Sequence, residues 1–360
     1  MPSITEPPAG TARWRGFNLL ELFSTSVRWG EQFPIRFTDG IQESDFAIIA
    51  DLGFDFVRVP MSYLWFGTGA FSSQIDESRF GLIDRVVKLG LQYGIHVSLN
   101  FHHAPGYCVT SSSYFDTPEP GDLFTDAALQ DLFVAYWHAL SIRYHDVPDA
   151  ALSFNLLNEP PQMDEDVFDT VFGQAAEAIW EISPDRTIIM EGWDWGLVPP
   201  PRHWWTHPKV ITSVHLYRPF EITHFECPWF DQSENPPSWP IRSAMSRALA
   251  QGYVPLEGQT EALWDDDALE RLLQPWLEVI NAGGRVHVGE FGAYTRTPHA
   301  VYLKWLEAQL SLLKRHGIGW AMWNFRGPFG VADSNRDDVH YENYRELRLD
   351  RRLLEVLQRN

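Results

Sequence analysis

The chain has 360 residues, enough for one large domain with an extensive core or for two of average size. Its 28 Lys and Arg against 48 Asp and Glu give a formal charge of -20, which argues against nucleic acid, anionic membrane or polyphosphate as partners and leaves a neutral ligand open. Sixteen Trp exceed what a core needs, because each buried indole N–H requires an acceptor, so some of them are expected on a binding surface.

The opening stretch MPSITEPPAGTARW lacks the charged and apolar regions of a secretory leader, and no run reaches the roughly 18 apolar residues of a membrane span. A cytoplasmic protein is expected as the sequence stands, or a secreted one if a leader has been removed. Eight short apolar runs follow: WRGFNLL near 14–20, FDFVRVP near 54–60, IHVSLNF near 95–101, ALSFNLL near 151–157, TIIMEG near 187–192, VITSVHLY near 210–217, RVHVGEFG near 285–292 and IGWAMWNF near 318–325. Between them lie stretches with helical spacing, among them ESRFGLIDRVVKLGLQYG, DAALQDLFVAYWHALSIRYH, EDVFDTVFGQAAEAIWEI and HAVYLKWLEAQLSLLKRHG. Several end in a glycine just before the next strand (Gly53, Gly94, Gly283, Gly317), as helix C-termini do. Strands alternating with helices, with no linker or repeat to divide them, predict one α/β domain over 1–360 folded as a (β/α)8 TIM barrel, an open doubly wound sheet being the alternative.

Segment 218–266 is long for a connection after the sixth strand and carries Trp229, Trp239 and Trp264. It reads as a functional insertion whose indoles either stack on ligand or pack the loop on itself. The cysteines, Cys108 and Cys227, follow different strands and read as free thiols. His224, His299 and HWWTH at 203–207 read as surface or packing residues, and the C-terminal DVHYENYRELRLDRRLLEVLQRN as a closing amphipathic helix.

In such a barrel catalytic side chains project from the C-terminal ends of strands. Strand two ends in Arg58, strand three in His102-His103, strand four in Asn158-Glu159, strand six in His215-x-Tyr217, strand seven in Glu290 and strand eight in Trp323-Asn324. Each alone has a plain structural reading as an ion pair, a satisfied core residue or a helix cap. Together they are hard to explain as packing. Paired carboxylates about 5 Å apart are the retaining glycosidase arrangement, one as acid/base and one as nucleophile, and Glu159 and Glu290 offer such a pair. Asn158 presents both a donor and an acceptor to a hydroxyl, Trp323 an apolar face to the C–H side of a pyranose, and Tyr217 a donor to one carboxylate oxygen. MEGWDWG after strand five brings Trp193 and Trp195 to the same rim as a subsite wall, with Glu191 read as structural or substrate-contacting.

The ordered set FVRVPMSY, LNFHHAPGY, NLLNEPP, HLY, VGEFGAY and WAMWNFRGPFGVADS closely resembles glycoside hydrolase family 5 of clan A, from about residue 14 to the C-terminus. The resemblance implies a retaining β-glycosidase with Glu159 as acid/base and Glu290 as nucleophile. It implies that Asn158 bonds the sugar 2-hydroxyl, Tyr217 donates to the nucleophile, His215 sits beside the acid/base and Arg58 orients and ionises Glu290. His102 would contact sugar hydroxyls and Trp323 would floor the reacting ring, while which of His102 and His103 points inward stays open. The substrate implied is a β-linked gluco- or manno-configured oligo- or polysaccharide. Endo-β-1,4-glucanase (cellulase-like) action comes first, with β-mannanase or exo-acting β-glucosidase or β-mannosidase as alternatives. No cofactor and no metal are expected. A metal-dependent barrel hydrolase would need His-x-His on strand one, where NLLELF stands, and a non-catalytic carbohydrate-binding barrel would be expected to have lost a catalytic Glu.

Overall fold

A computed structural model of the chain describes residues 13–23, 40–66, 75–109, 121–230 and 236–360. Residues 1–12, read above for a leader, and 231–235 of the long connection lie outside the described residues. The fold is the expected (β/α)8 barrel of eight parallel strands with surrounding helices. By backbone proximity the chain divides into two compact units, Gly16–Ser213 and Val214–Asn360, the latter with the N-terminal end up to Arg15.

In Gly16–Ser213 the first six apolar runs become β1 (Arg15–Asn18), β2 (Phe56–Ser62), β3 (His96–Ala104), β5 (Leu152–Asn155), β6 (Ile188–Glu191) and β7 (Val210–Leu216). They pair in parallel in that order, with Phe17 opposite Val57, Val57 opposite Val97, Leu99 opposite Phe154, Asn155 opposite Ile189 and Glu191 opposite Ser213. Every residue of β2 and β3 is buried, as parallel strands covered on both faces must be. The short β4 (Tyr107–Cys108) folds back antiparallel on the end of β3 and so carries Tyr107 to that strand's C-terminal end. Helix Gly81–Tyr93 stops at Gly94, whose φ of 67° is the left-handed conformation glycine adopts without a Cβ penalty. The predicted single helix over 165–182 instead runs as Glu165–Phe168, a π-helical turn at Asp169–Gly173 and Gln174–Ile182.

In the other unit β8 (Ile241–Ala244) and β9 (Glu261–Trp264) form an antiparallel hairpin inside the long connection. β10 (Val286–Phe291) and β11 (Gly319–Met322) pair in parallel, and Trp14 C=O accepts the Trp320 N–H at 2.8 Å. Position 319 must be glycine, since a Cβ there would lie 2.4 Å from that same carbonyl. Helix Asp266–Asn281 starts at Asp265, whose carboxylate caps the Ala268 N–H, and buries Leu269, Leu272, Leu273 and Trp276. Each such side chain contributes about 1.5–3 kcal/mol by leaving water.

The long connection 218–266 carries this hairpin. Glu221, buried beneath it, accepts from Gln251 Nε2 at 2.9 Å and from Ser243 Oγ, tying the hairpin to the chain just after β7. Trp264 is fully buried and packs edge-on to Tyr253 at 5.0 Å, so it is core, whereas Trp229 is 39% exposed. The C-terminal stretch is likewise only half helix: Glu342–Tyr344 and Leu347–Leu349 form a hairpin before helix Arg351–Arg359. Neither Cys108 nor Cys227 takes part in a disulfide. Among the described residues no helix is long and apolar enough to cross a membrane.

Two buried histidines set a pH dependence. His96 donates from Nδ1 to Ala150 C=O at 2.9 Å and accepts from Ser153 Oγ at Nε2, and burial depresses its pKa to about 4. His224, enclosed by Tyr217, Phe220, Phe230 and Phe329, is pushed down to about 3 by burial and then by the Arg218 charge. Both folded values lie below the unfolded value near 6.5, so from there downward the unfolded chain takes up protons that the native state refuses. Their contribution is complete above pH 6.5 and is lost as pH falls, at about 1.4 kcal/mol per pH unit per histidine. Thermal melts between pH 7 and pH 4.5 should show a falling Tm, and His224→Phe should flatten the decline. Parallel curves for the two proteins would exclude His224 as a titrating site.

Candidate active site

The strand ends of Gly16–Ser213 converge on Arg58. Its guanidinium is 1% exposed and donates to Asn155 Oδ1 at 2.7 Å, Asn18 Oδ1 at 2.9 Å, Asn158 Oδ1 at 2.7 Å and Glu191 Oε1 at 2.6 Å. A buried cation needs such a shell, because an unpaired charge removed from water costs several kcal/mol. Arg58 has only donors, so it can take only the oxygen of each amide and thereby fixes which way Asn158 faces. The other end of that amide, Nδ2, is buried and finds no partner among the described residues. It is a donor held ready for an incoming acceptor.

Glu159 follows at once and is half-buried. Its backbone φ is 44°, in the left-handed region that costs a non-glycine residue about 1–2 kcal/mol. The peptide is held from both sides: its N–H donates to Glu191 Oε2 at 2.8 Å, and its C=O accepts from Tyr107 Oη at 2.5 Å. Burial, and after it the Glu159 charge, raises the Tyr107 pKa, which keeps the phenol a donor. In Pro160 the next carbonyl accepts the Asp194 N–H at 3.2 Å, linking this loop to the one after β6.

On β3 the histidines separate. Strand alternation puts His103 on the face of Phe101, which packs against Tyr136 and Trp137; Ser62 Oγ meets His103 Nδ1 at 2.8 Å and Tyr63 stacks edge-on at 4.9 Å. His102 lies on the opposite face with Asn100, edge-on to Phe23 at 4.4 Å. Trp193 is buried against Phe168 at 5.7 Å, while Trp195, in a run of left-handed residues with Asp194 and Gly196, is 54% exposed.

In Val214–Asn360 the centre is Glu290, near the end of β10 and 4% exposed. Tyr217, just past β7, donates its hydroxyl to Glu290 Oε2 at 3.0 Å, and His215 Nδ1 stands 3.6 Å from the same oxygen. The Tyr217 ring is set by edge contacts to His224 at 5.4 Å and Phe329 at 6.2 Å, and its carbonyl accepts from Thr223 Oγ1. Trp323, partly buried, packs on this cluster of Tyr217, Cys227 and Phe329, and its N–H donates to Phe291 C=O at 2.8 Å.

Residues 11–327 match the family model described as cellulase (glycosyl hydrolase family 5). The chain belongs to glycoside hydrolase family 5. It is 25% identical over 328 residues to Endoglucanase C of Acetivibrio thermocellus, covering 87% of this chain and 94% of that one. It is also 25% identical over 316 residues to the sporulation-specific glucan 1,3-beta-glucosidase of Saccharomyces cerevisiae, covering 79% and 67% respectively. A crystal structure of a glycoside hydrolase superposes with a TM-score of 0.82 at 30% identity, covering 97% of this chain and 99% of that one. Membership makes the protein a retaining enzyme acting on O-glycosyl bonds, with carbohydrate as its substrate class.

Two site residues of this family 5 chain carried too weak a signal in the sequence. Tyr107 lies inside LNFHHAPGY, but its contact with Glu159 depends on the β4 turn-back, for which Gly106 was the one local cue. Glu191 ends an apolar run in the same manner as Glu159, yet its partners, Arg58 and the Glu159 N–H, lie 133 and 32 residues away.

Proposed function

We propose that the enzyme hydrolyses β-1,4-linked glucan chains from within, in the manner of an endoglucanase, by double displacement with Glu159 as acid/base and Glu290 as nucleophile. In the first step a Glu290 carboxylate oxygen attacks the anomeric carbon, the glycosidic C–O bond breaks, and the Glu159 proton passes to the leaving oxygen. In the second Glu159 takes a proton from water, the water oxygen attacks the same carbon, and the Glu290 ester bond breaks with net retention. Tyr217, donating to Oε2 at 3.0 Å, supports the departing carboxylate.

The observation that carries this reading is Asn158. Its Oδ1 is committed to Arg58 and its buried Nδ2 is left over, in the residue next to Glu159. A sugar 2-hydroxyl oxygen is the acceptor that such a donor fits, and that bond strengthens as the oxocarbenium-like transition state forms. The similarity to Endoglucanase C supports the endo mode on glucan, and the match to the cellulase family model supports the β-1,4 linkage. The similarity to the yeast glucan 1,3-beta-glucosidase favours a second reading, exo cleavage of β-1,3-glucan. Product analysis on cello-, laminari-, manno- and xylo-oligosaccharides separates them. Internal cleavage of cello-oligosaccharides is expected, whereas glucose released stepwise from laminari-oligosaccharides would replace the first reading with the second. Cleavage of manno-oligosaccharides alone would make the enzyme a mannanase.

A further inference from the structure

The Glu191 carboxylate closes β6 at 1% exposure, and its two oxygens have separate partners. Oε1 takes the Arg58 guanidinium at 2.6 Å, and Oε2 takes the Glu159 backbone N–H at 2.8 Å. Through the first contact it holds Arg58, which fixes the Asn158 amide at 2.7 Å. Through the second it holds the residue whose φ of 44° is unfavourable and persists only where the surroundings over-determine it. Tyr107 secures the opposite side of that residue at 2.5 Å, so Glu159 cannot relax to an ordinary backbone while both contacts stand. A single buried carboxylate thus governs two neighbouring residues that face substrate in the reading above.

We propose that Glu191 is a positioning residue for proton transfer to the leaving group: it fixes the backbone from which the Glu159 side chain projects. This rests on Glu159 being the acid/base. Glu191→Gln loses the Glu159 contact, because its one accepting oxygen is drawn to the Arg58 guanidinium, which has only donors, and its NH2 cannot accept from the Glu159 N–H. Glu191→Asp keeps the charge for Arg58 but is one methylene too short to reach the Glu159 N–H as well.

The test compares kcat/KM, which reports the steps through bond cleavage, on an unactivated oligosaccharide and on a dinitrophenyl β-glycoside whose leaving group needs no proton. Glu191→Gln and Glu191→Asp, each checked by thermal melting, are run beside wild type and Glu159→Gln. Both Glu191 variants should lose about 10- to 100-fold on the oligosaccharide and less than about threefold on the dinitrophenyl glycoside, a smaller copy of the Glu159→Gln pattern. Equal losses on the two substrates, or no loss in either variant, would make Glu191 merely structural and overturn the proposal. If Glu159→Gln itself treats both substrates alike, the acid/base assignment fails first and takes this proposal with it.

Discussion

Glu290→Gln is expected to abolish turnover while leaving the fold in place. The amide is nearly isosteric, and its oxygen still accepts the Tyr217 hydroxyl that now lies 3.0 Å from Oε2. What it loses is nucleophilicity, and without a glycosyl-enzyme the double displacement has no first step. Loss of a covalent nucleophile costs on the order of 10^4- to 10^6-fold in kcat. Because the side chain sits at a strand end, Tm should move by no more than a few degrees, in keeping with a neutral substitution at one hydrogen bond. A variant retaining a tenth of wild-type kcat would remove Glu290 from the role.

Glu159→Ala has a different signature, since general acid catalysis contributes about 10^2- to 10^4-fold and only where the leaving group needs a proton. On an unactivated oligosaccharide kcat/KM should fall by about that factor. On a dinitrophenyl β-glycoside it should stay near wild type, while kcat falls because the second step has lost its base. Added azide, a nucleophile that needs no deprotonation, should restore kcat and yield a β-glycosyl azide. Failure of azide to raise kcat, or an α-configured product, would contradict the assignment.

The barrel was legible because its strands are parallel and doubly covered. FDFVRVP and IHVSLNF are short, largely apolar runs buried on both faces, and the glycines after the helices marked where each new strand begins. Glu159 stood out because Asn-Glu-Pro-Pro breaks off the apolar run ALSFNLL abruptly. Pairings at long range were illegible. Arg58 pairs with Glu191 at 2.6 Å, and nothing local to either residue announces that pair. Period-two alternation separated the faces of His102 and His103 without saying which face was which, until Ser62 and Tyr63 were seen to hold His103 on the side of Phe101. Trp264 sits on a four-residue strand of a hairpin that interrupts no helical pattern, so its burial could not be told from ligand-facing exposure.

The most direct measurement is the mass of the intact enzyme after incubation with a dinitrophenyl 2-deoxy-2-fluoro-β-glycoside of the preferred sugar. The fluorine slows both steps and the leaving group rescues the first, so a glycosyl-enzyme accumulates. The expected result is a gain of one fluoroglycosyl group per chain, mapped by peptide digestion to Glu290, and no gain in Glu290→Gln. An adduct on Glu159, or full activity on substrate with no adduct at any inhibitor concentration, would contradict nucleophilic catalysis by Glu290.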